Sequence, residues 1–105
     1  MKEKVTVALL VLFVFAGIAS ATDATAGKDL FSGKCAMCHG ADASANTAMG
    51  KNMKIRDLHS PEVQKQSDAE LTTIITKGKN KMPSFDGKLT ADQINQVVAF
   101  IRTLK

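Results

Sequence analysis

The 105-residue chain has no tryptophan and no tyrosine, and only two residues each of cysteine, histidine and proline. Each scarcity closes a route. Without tryptophan or tyrosine, and without a basic run interleaved with aromatics, the chain is a poor candidate for binding nucleic acid. Two cysteines separated by two residues cannot staple a fold as a disulfide, because so short a loop removes little unfolded-state entropy. No stretch sustains the apolar–polar alternation of a strand. The one long apolar run, Val5 to Ala19, has fifteen residues, fewer than the roughly 20 that a spanning helix needs.

That run has the marks of an export leader. Lys2 and Lys4 precede it, and Ala19-Ser20-Ala21 follows with small side chains where a signal peptidase reads. The expected division is a cleaved signal peptide, residues 1–21, and one domain, residues 22–105. Ala24-Thr25-Ala26 offers a second cleavage site. No cysteine ends the apolar run, which argues against a lipid anchor. An uncleaved leader tethering the domain to a membrane is the alternative. Cleavage removes Lys2, Lys4 and Glu3 and lowers the net charge from +4 to +3. A mildly basic surface suits an acidic protein partner.

Three stretches of the expected domain read as helices, so the fold class is all-α. The first runs from about Ala24 to Cys35 and carries Leu30 and Phe31 on one face. The second spans Asp68 to Lys77, with Ser67 and Glu70 as a capping box, an apolar stripe of Leu71, Ile74 and Ile75, and Gly78 as its stop. The third spans Ala91 to Leu104, capped by Thr90 with Gln93, and its apolar face is Ile94, Val97, Val98, Ile101 and Leu104. Ser60-Pro61 suits the start of a short helix. Between His39 and Ser60 lies a polar stretch without clear period, long for a compact domain unless it wraps something. A domain this small also buries too little apolar area to do without a staple.

Residues 35–39, CAMCH, hold both cysteines and one histidine. A redox dithiol, a zinc ion and a haem compete for them. The dithiol reading needs a strand–helix setting that lowers a thiol pKa, and here the pair follows a helix. Zinc needs four ligands, and only His59 lies elsewhere to help. Haem attachment fits best: Cys35 and Cys38 reach two vinyl groups on one porphyrin edge, and His39 lies beneath the iron as proximal ligand. The haem would then be haem c, covalent and one per chain, and it would supply the missing staple.

The sixth iron position decides between carrier and enzyme. Met82 sits in GKNKMPSF, a polar loop stiffened by Pro83. A thioether presented from such a loop is the candidate second axial ligand; the alternative is a methionine packed under the loop. Met49 and Met53 are reserve candidates, and Met37 belongs to the attachment turn. His59 reads as an exposed histidine near a helix start. Arg56 reads equally as a haem-propionate partner or a solvated loop arginine. Lys77, Lys79 and Lys81 flank Met82 as a solvated charge run or as a basic rim steering an acidic partner.

Taken together, the leader, CAMCH, GKNKMPSF and the closing DQINQVVAFIRTLK resemble a small bacterial class I cytochrome c over almost the whole expected domain. The resemblance implies three or four helices wrapped around one haem, with His39 and Met82 as axial ligands. It also implies that the first and last helices cross near a right angle. Gly27 and Phe31 match the family's first-helix glycine and aromatic, and Phe100 the aromatic of the last helix. The implied protein is a monomeric periplasmic electron carrier, not an enzyme, working between a redox donor and a redox acceptor. A five-coordinate haem sensor or peroxidase-like protein is the alternative if Met82 does not ligate. One departure stands out: the family's Gly-Pro-x-Leu stretch after the attachment motif is missing, since no proline lies between His39 and Pro61.

Overall fold

A computed structural model describes residues 21–105, so the expected signal peptide, apart from Ala21, lies outside the described residues. Within them the regular structure is helical. Three longer helices, α1 (Ala21–Lys34), α5 (Asp68–Lys77) and α6 (Ala91–Arg102), are joined by short ones: α2 (Ala36–His39), α3 (Ala48–Met53) and α4 (Pro61–Gln64).

α6 forms for reasons written locally. Thr90 Oγ1 accepts from Gln93 N–H at 3.1 Å, and Gln93 Oε1 accepts from Thr90 N–H at 2.9 Å, a complete capping box. Its face of Ile94, Val97, Val98, Phe100 and Ile101 is buried, while Leu104 packs against the core from a turn beyond the helix. At α5 the box is only half made. Ser67 Oγ accepts from Glu70 N–H, but the Glu70 carboxylate takes the Ser67 hydroxyl rather than its backbone N–H. α5 buries Leu71 and Ile75, and Gly78 ends it at φ 76° with its N–H on Ile74 C=O.

α1 and α6 make the most extensive helix contact of the described residues. Gly27 permits it: a Cβ there would stand 1.8 Å from the Gln96 carbonyl oxygen. Phe31, one turn on, is 1% exposed, and its ring lies 5.1 Å from that of Phe100 on α6. Burying such a ring contributes about 1.5–3 kcal/mol. Arg102, near the end of α6, ties down the α4–α5 connection. Its guanidinium donates to Asp68 Oδ1 at 2.6 Å, to Gln64 C=O at 2.9 Å and to Gln66 C=O.

The polar stretch after His39 is ordered by tight turns. Ala43 and Ala45 are buried with φ of 62°, a left-handed conformation that costs a non-glycine residue about 1–2 kcal/mol. Leu58 N–H donates to Ala43 C=O at 3.0 Å, so the stretch closes back on itself. α3 lies within it, capped by Thr47, whose hydroxyl accepts from Gly50 N–H at 2.8 Å.

Candidate functional site

The CAMCH turn continues α1 through a break. Cys35 N–H still donates to Phe31 C=O, and α2 then carries Cys38 and His39 around one short turn. Gly40, at φ 81°, sends the chain back, and Ala45 N–H reaches His39 C=O at 2.7 Å. Thr47 completes the lock: its hydroxyl donates to Cys38 C=O at 2.7 Å while capping α3. Gly50 lets the two pieces close, since a Cβ there would stand 2.2 Å from the Ala45 carbonyl oxygen. Thr47 and Gly50 had no place among the candidate residues. The signal was there in Thr47, a threonine at N-cap spacing ahead of AMGKNM.

Met82 is held with equal economy. Asn80, at φ 55° in a region that asparagine tolerates, turns the chain. Lys79 and Met82 then exchange backbone bonds of 3.2 and 3.0 Å. Gly78 is obligatory beneath this turn, because a Cβ there would come 2.6 Å from the Met82 carbonyl oxygen. Beyond Pro83, Ser84 Oγ donates to Thr76 C=O at 2.6 Å and Phe85 N–H to Ile75 C=O at 3.1 Å. The last carbonyls of α5 thus anchor the Met82 loop.

These two anchored segments meet at one pocket. Cys35, His39 and Met82 line it together with Phe31, Leu58, Val63, Leu71 and Ile75, so the wall is almost wholly apolar. Cys38 is half-buried beside it and is not a lining residue. Cys35 and Cys38 are not joined as a disulfide. Burial, with the neighbouring Cys38 second, pushes the Cys35 thiol up to about 11. An attacking thiol of a redox dithiol is shifted the other way. Burial also holds the His39 imidazole below its usual pKa, favouring the neutral form that ligates metals. Its Nδ1 is closed to solvent and has no hydrogen-bond partner.

Other candidates lie elsewhere. Met37 is 81% exposed and Met49 37%; neither lines the pocket, nor does the half-buried Met53. His59 Nδ1 lies 2.6 Å from Asp57 Oδ1 at the surface, and Arg56 pairs with Glu62 at 3.3 Å. Lys77, Lys79 and Lys81 are exposed, and among the described residues none of them is in an ion pair.

A covalently held haem would need two thiols, an imidazole and a second axial donor; Cys35, His39 and Met82 line the apolar pocket with Cys38 beside it, so the residues present fit that group. Comparison with known proteins agrees. Residues 22–101 match the family model described as cytochrome C oxidase, cbb3-type, subunit III. Cytochrome c6 of Nostoc sp. (strain PCC 7120) is 35% identical over 92 residues, covering 88% of this chain and 80% of that protein. Cytochrome c6 of Rippkaea orientalis is 36% identical over 110 residues, covering 96% and 92%. Among solved structures, the KustC0563 c-type cytochrome superposes with a TM-score of 0.69 at 31% identity, covering 75% of this chain and 96% of that one. The chain belongs to the small class I c-type cytochromes, whose haem is bound covalently in an all-α fold.

Proposed function

We propose that this chain is a single-electron carrier of the periplasm, with Cys35 and Cys38 bearing the haem thioethers and His39 and Met82 as axial ligands. The observation that carries the reading is that His39 and Met82, distant in sequence, line one apolar pocket with Cys35 beside them. Once bound, the haem supplies a reversible Fe(III)/Fe(II) couple. With both His39 and Met82 bound to it, the iron would have no position left for a substrate, which favours carriage over catalysis. The Met82 sulfur, a soft donor, favours the ferrous form and so a relatively high potential. Phe31, Leu71 and Ile75 keep water from the pocket, which limits the charge reorganisation each transfer demands.

The leader, residues 1–21, takes the chain out of the cytoplasm, and residues 22–105 form the working domain as a monomer. Among the described residues no helix is long and apolar enough to cross a membrane. The unpaired Lys77, Lys79 and Lys81 form a basic rim on the Met82 loop, suited to an acidic docking surface on donor and acceptor.

The deciding experiment is the optical spectrum of the ferric protein, wild type against Met82→Ala. The wild type shows the weak long-wavelength sulfur-to-iron band, and the variant loses it and binds carbon monoxide readily when reduced. A wild type without that band, or binding carbon monoxide at neutral pH, supports the five-coordinate reading instead.

A further inference from the structure

A thioether is oxidised where an oxidant can reach its sulfur, so the places of the methionines set an order of attack. Among the described residues Met37 is 81% exposed and Met49 37%, Met53 is half-buried, and Met82 is half-buried and packed against the core. The exposure of Met37 follows from the winding of the attachment turn. Cys38 and His39 both donate their N–H to Cys35 C=O, at 3.3 and 3.0 Å, so the turn is helical from Cys35 onward. At about 100° per residue, Cys35, Cys38 and His39 fall within roughly 100° of arc, and Met37 points to the opposite side. Cys35 and His39 line the pocket accordingly, and Met37 does not. A group held by those three residues therefore leaves the Met37 sulfur in water.

We propose that Met37 is a sacrificial oxidation site, the first sulfur of the described domain to take oxygen from a hydroperoxide, and that it spares Met82. The Met37 sulfur attacks the peroxide O–O bond: an S–O bond forms as the O–O bond breaks. Sulfur gives up two electrons, and the leaving hydroxide takes the proton of the transferred oxygen and departs as water. The sulfoxide adds a polar oxygen to a surface that is already solvated, and methionine sulfoxide is reducible back to the thioether. At Met82 the same change would set a polar oxygen among Leu71, Ile75 and Val97 of the pocket wall and remove its soft donor. The order of attack stands on exposure and turn geometry; the protective value rests on Met82 being the axial ligand.

The test treats the ferric holoprotein with hydrogen peroxide, sampled before half of the chains have gained an oxygen, and locates that oxygen by peptide mass spectrometry. Met37 should be oxidised at least about tenfold faster than Met82 and ahead of Met49, and chains singly oxidised at Met37 should keep the sulfur-to-iron band. With one equivalent of peroxide run to exhaustion, Met37→Leu should lose at least about threefold more of that band than the wild type. Met82 or Met49 gaining the first oxygen overturns the proposal, as does equal band loss in the two proteins. A wild type without the band refutes the ligand assignment instead, and the order of oxidation is still read from the peptides.

Discussion

Replacing Gly27 with alanine tests how the terminal helices meet. The added Cβ would stand 1.8 Å from the Gln96 carbonyl oxygen, 2.5 Å from its carbon and 3.0 Å from Val97 N. An ordinary carbon–oxygen contact needs about 3.3 Å, so the α1 backbone must retreat by about 1.5 Å. Retreat of that size opens gaps around Phe31 and Val97, each 1% exposed. Even a 0.5–1 Å gap forfeits roughly a quarter to a half of a dispersion contact. Overpacking and repacking on this scale cost about 3–5 kcal/mol. Alanine returns about 1 kcal/mol of helix propensity, leaving a net loss of about 2–4 kcal/mol.

Gly33, also in α1, is the internal control, since a Cβ there meets nothing within 4 Å. Gly33→Ala should be neutral or stabilising by up to about 1 kcal/mol. Urea unfolding of both holoproteins, followed by circular dichroism, reads the difference with the propensity gain largely cancelled. In thermal melts Gly27→Ala should fall by roughly 10–30 °C. If it unfolds within about 0.5 kcal/mol of Gly33→Ala, the close backbone approach is not what holds α1 on α6.

Arg102→Met should cost about 2–3 kcal/mol by equilibrium unfolding, because it strips a half-buried guanidinium from Asp68 and two carbonyls. Asp68→Asn should cost less than about 1 kcal/mol, since the Asp68 side chain is 73% exposed. Equal losses would mean that the surface ion pair, not the carbonyl clamp, carries the contribution. Reversing Lys77, Lys79 and Lys81 to glutamate should slow association with an acidic redox partner by at least tenfold at low salt and flatten its ionic-strength dependence. Stopped-flow rates that keep the wild-type salt slope would leave these lysines as a solvated run.

Legibility in the sequence followed the presence of a local signal. α5 begins and ends as its caps announce, and α6 stops two residues early because Thr103 and Leu104 leave the helix as a turn. CAMCH and Met82 stood out because reactive side chains sat at a diagnostic spacing or in an incongruous loop. α3 carried only half a signal: Thr47 stands at N-cap spacing, but its six residues bury only Gly50, so there is no apolar stripe to count beside it. Ala43 and Ala45 were hidden as well. Nothing in an alanine announces a left-handed backbone, which tertiary contacts impose. The pocket wall from Leu58 and Val63 comes from isolated apolar residues in polar surroundings, which only the folded chain brings together.

The two segments that carry the proposed ligands depend on different helices, and this predicts the order in which the site fails. His39 follows α1 through the attachment turn, while Met82 hangs from the last carbonyls of α5. α1 and α5 each pack on α6, and α1 does so far more extensively. α6 is therefore the strut that relates the His39 segment to the Met82 segment, and its weaker grip is on the Met82 side. Thr90→Ala removes the acceptor that caps α6 beside the buried Leu89 and should cost about 1 kcal/mol. Because the α5 contact is the slighter one, the loss should appear first at Met82. In a urea titration the sulfur-to-iron band should vanish before the helical signal, with a wider gap between the midpoints than in the wild type. Coincident midpoints in both proteins would show that the domain unfolds as one unit, with no separately weaker Met82 side for α6 to hold.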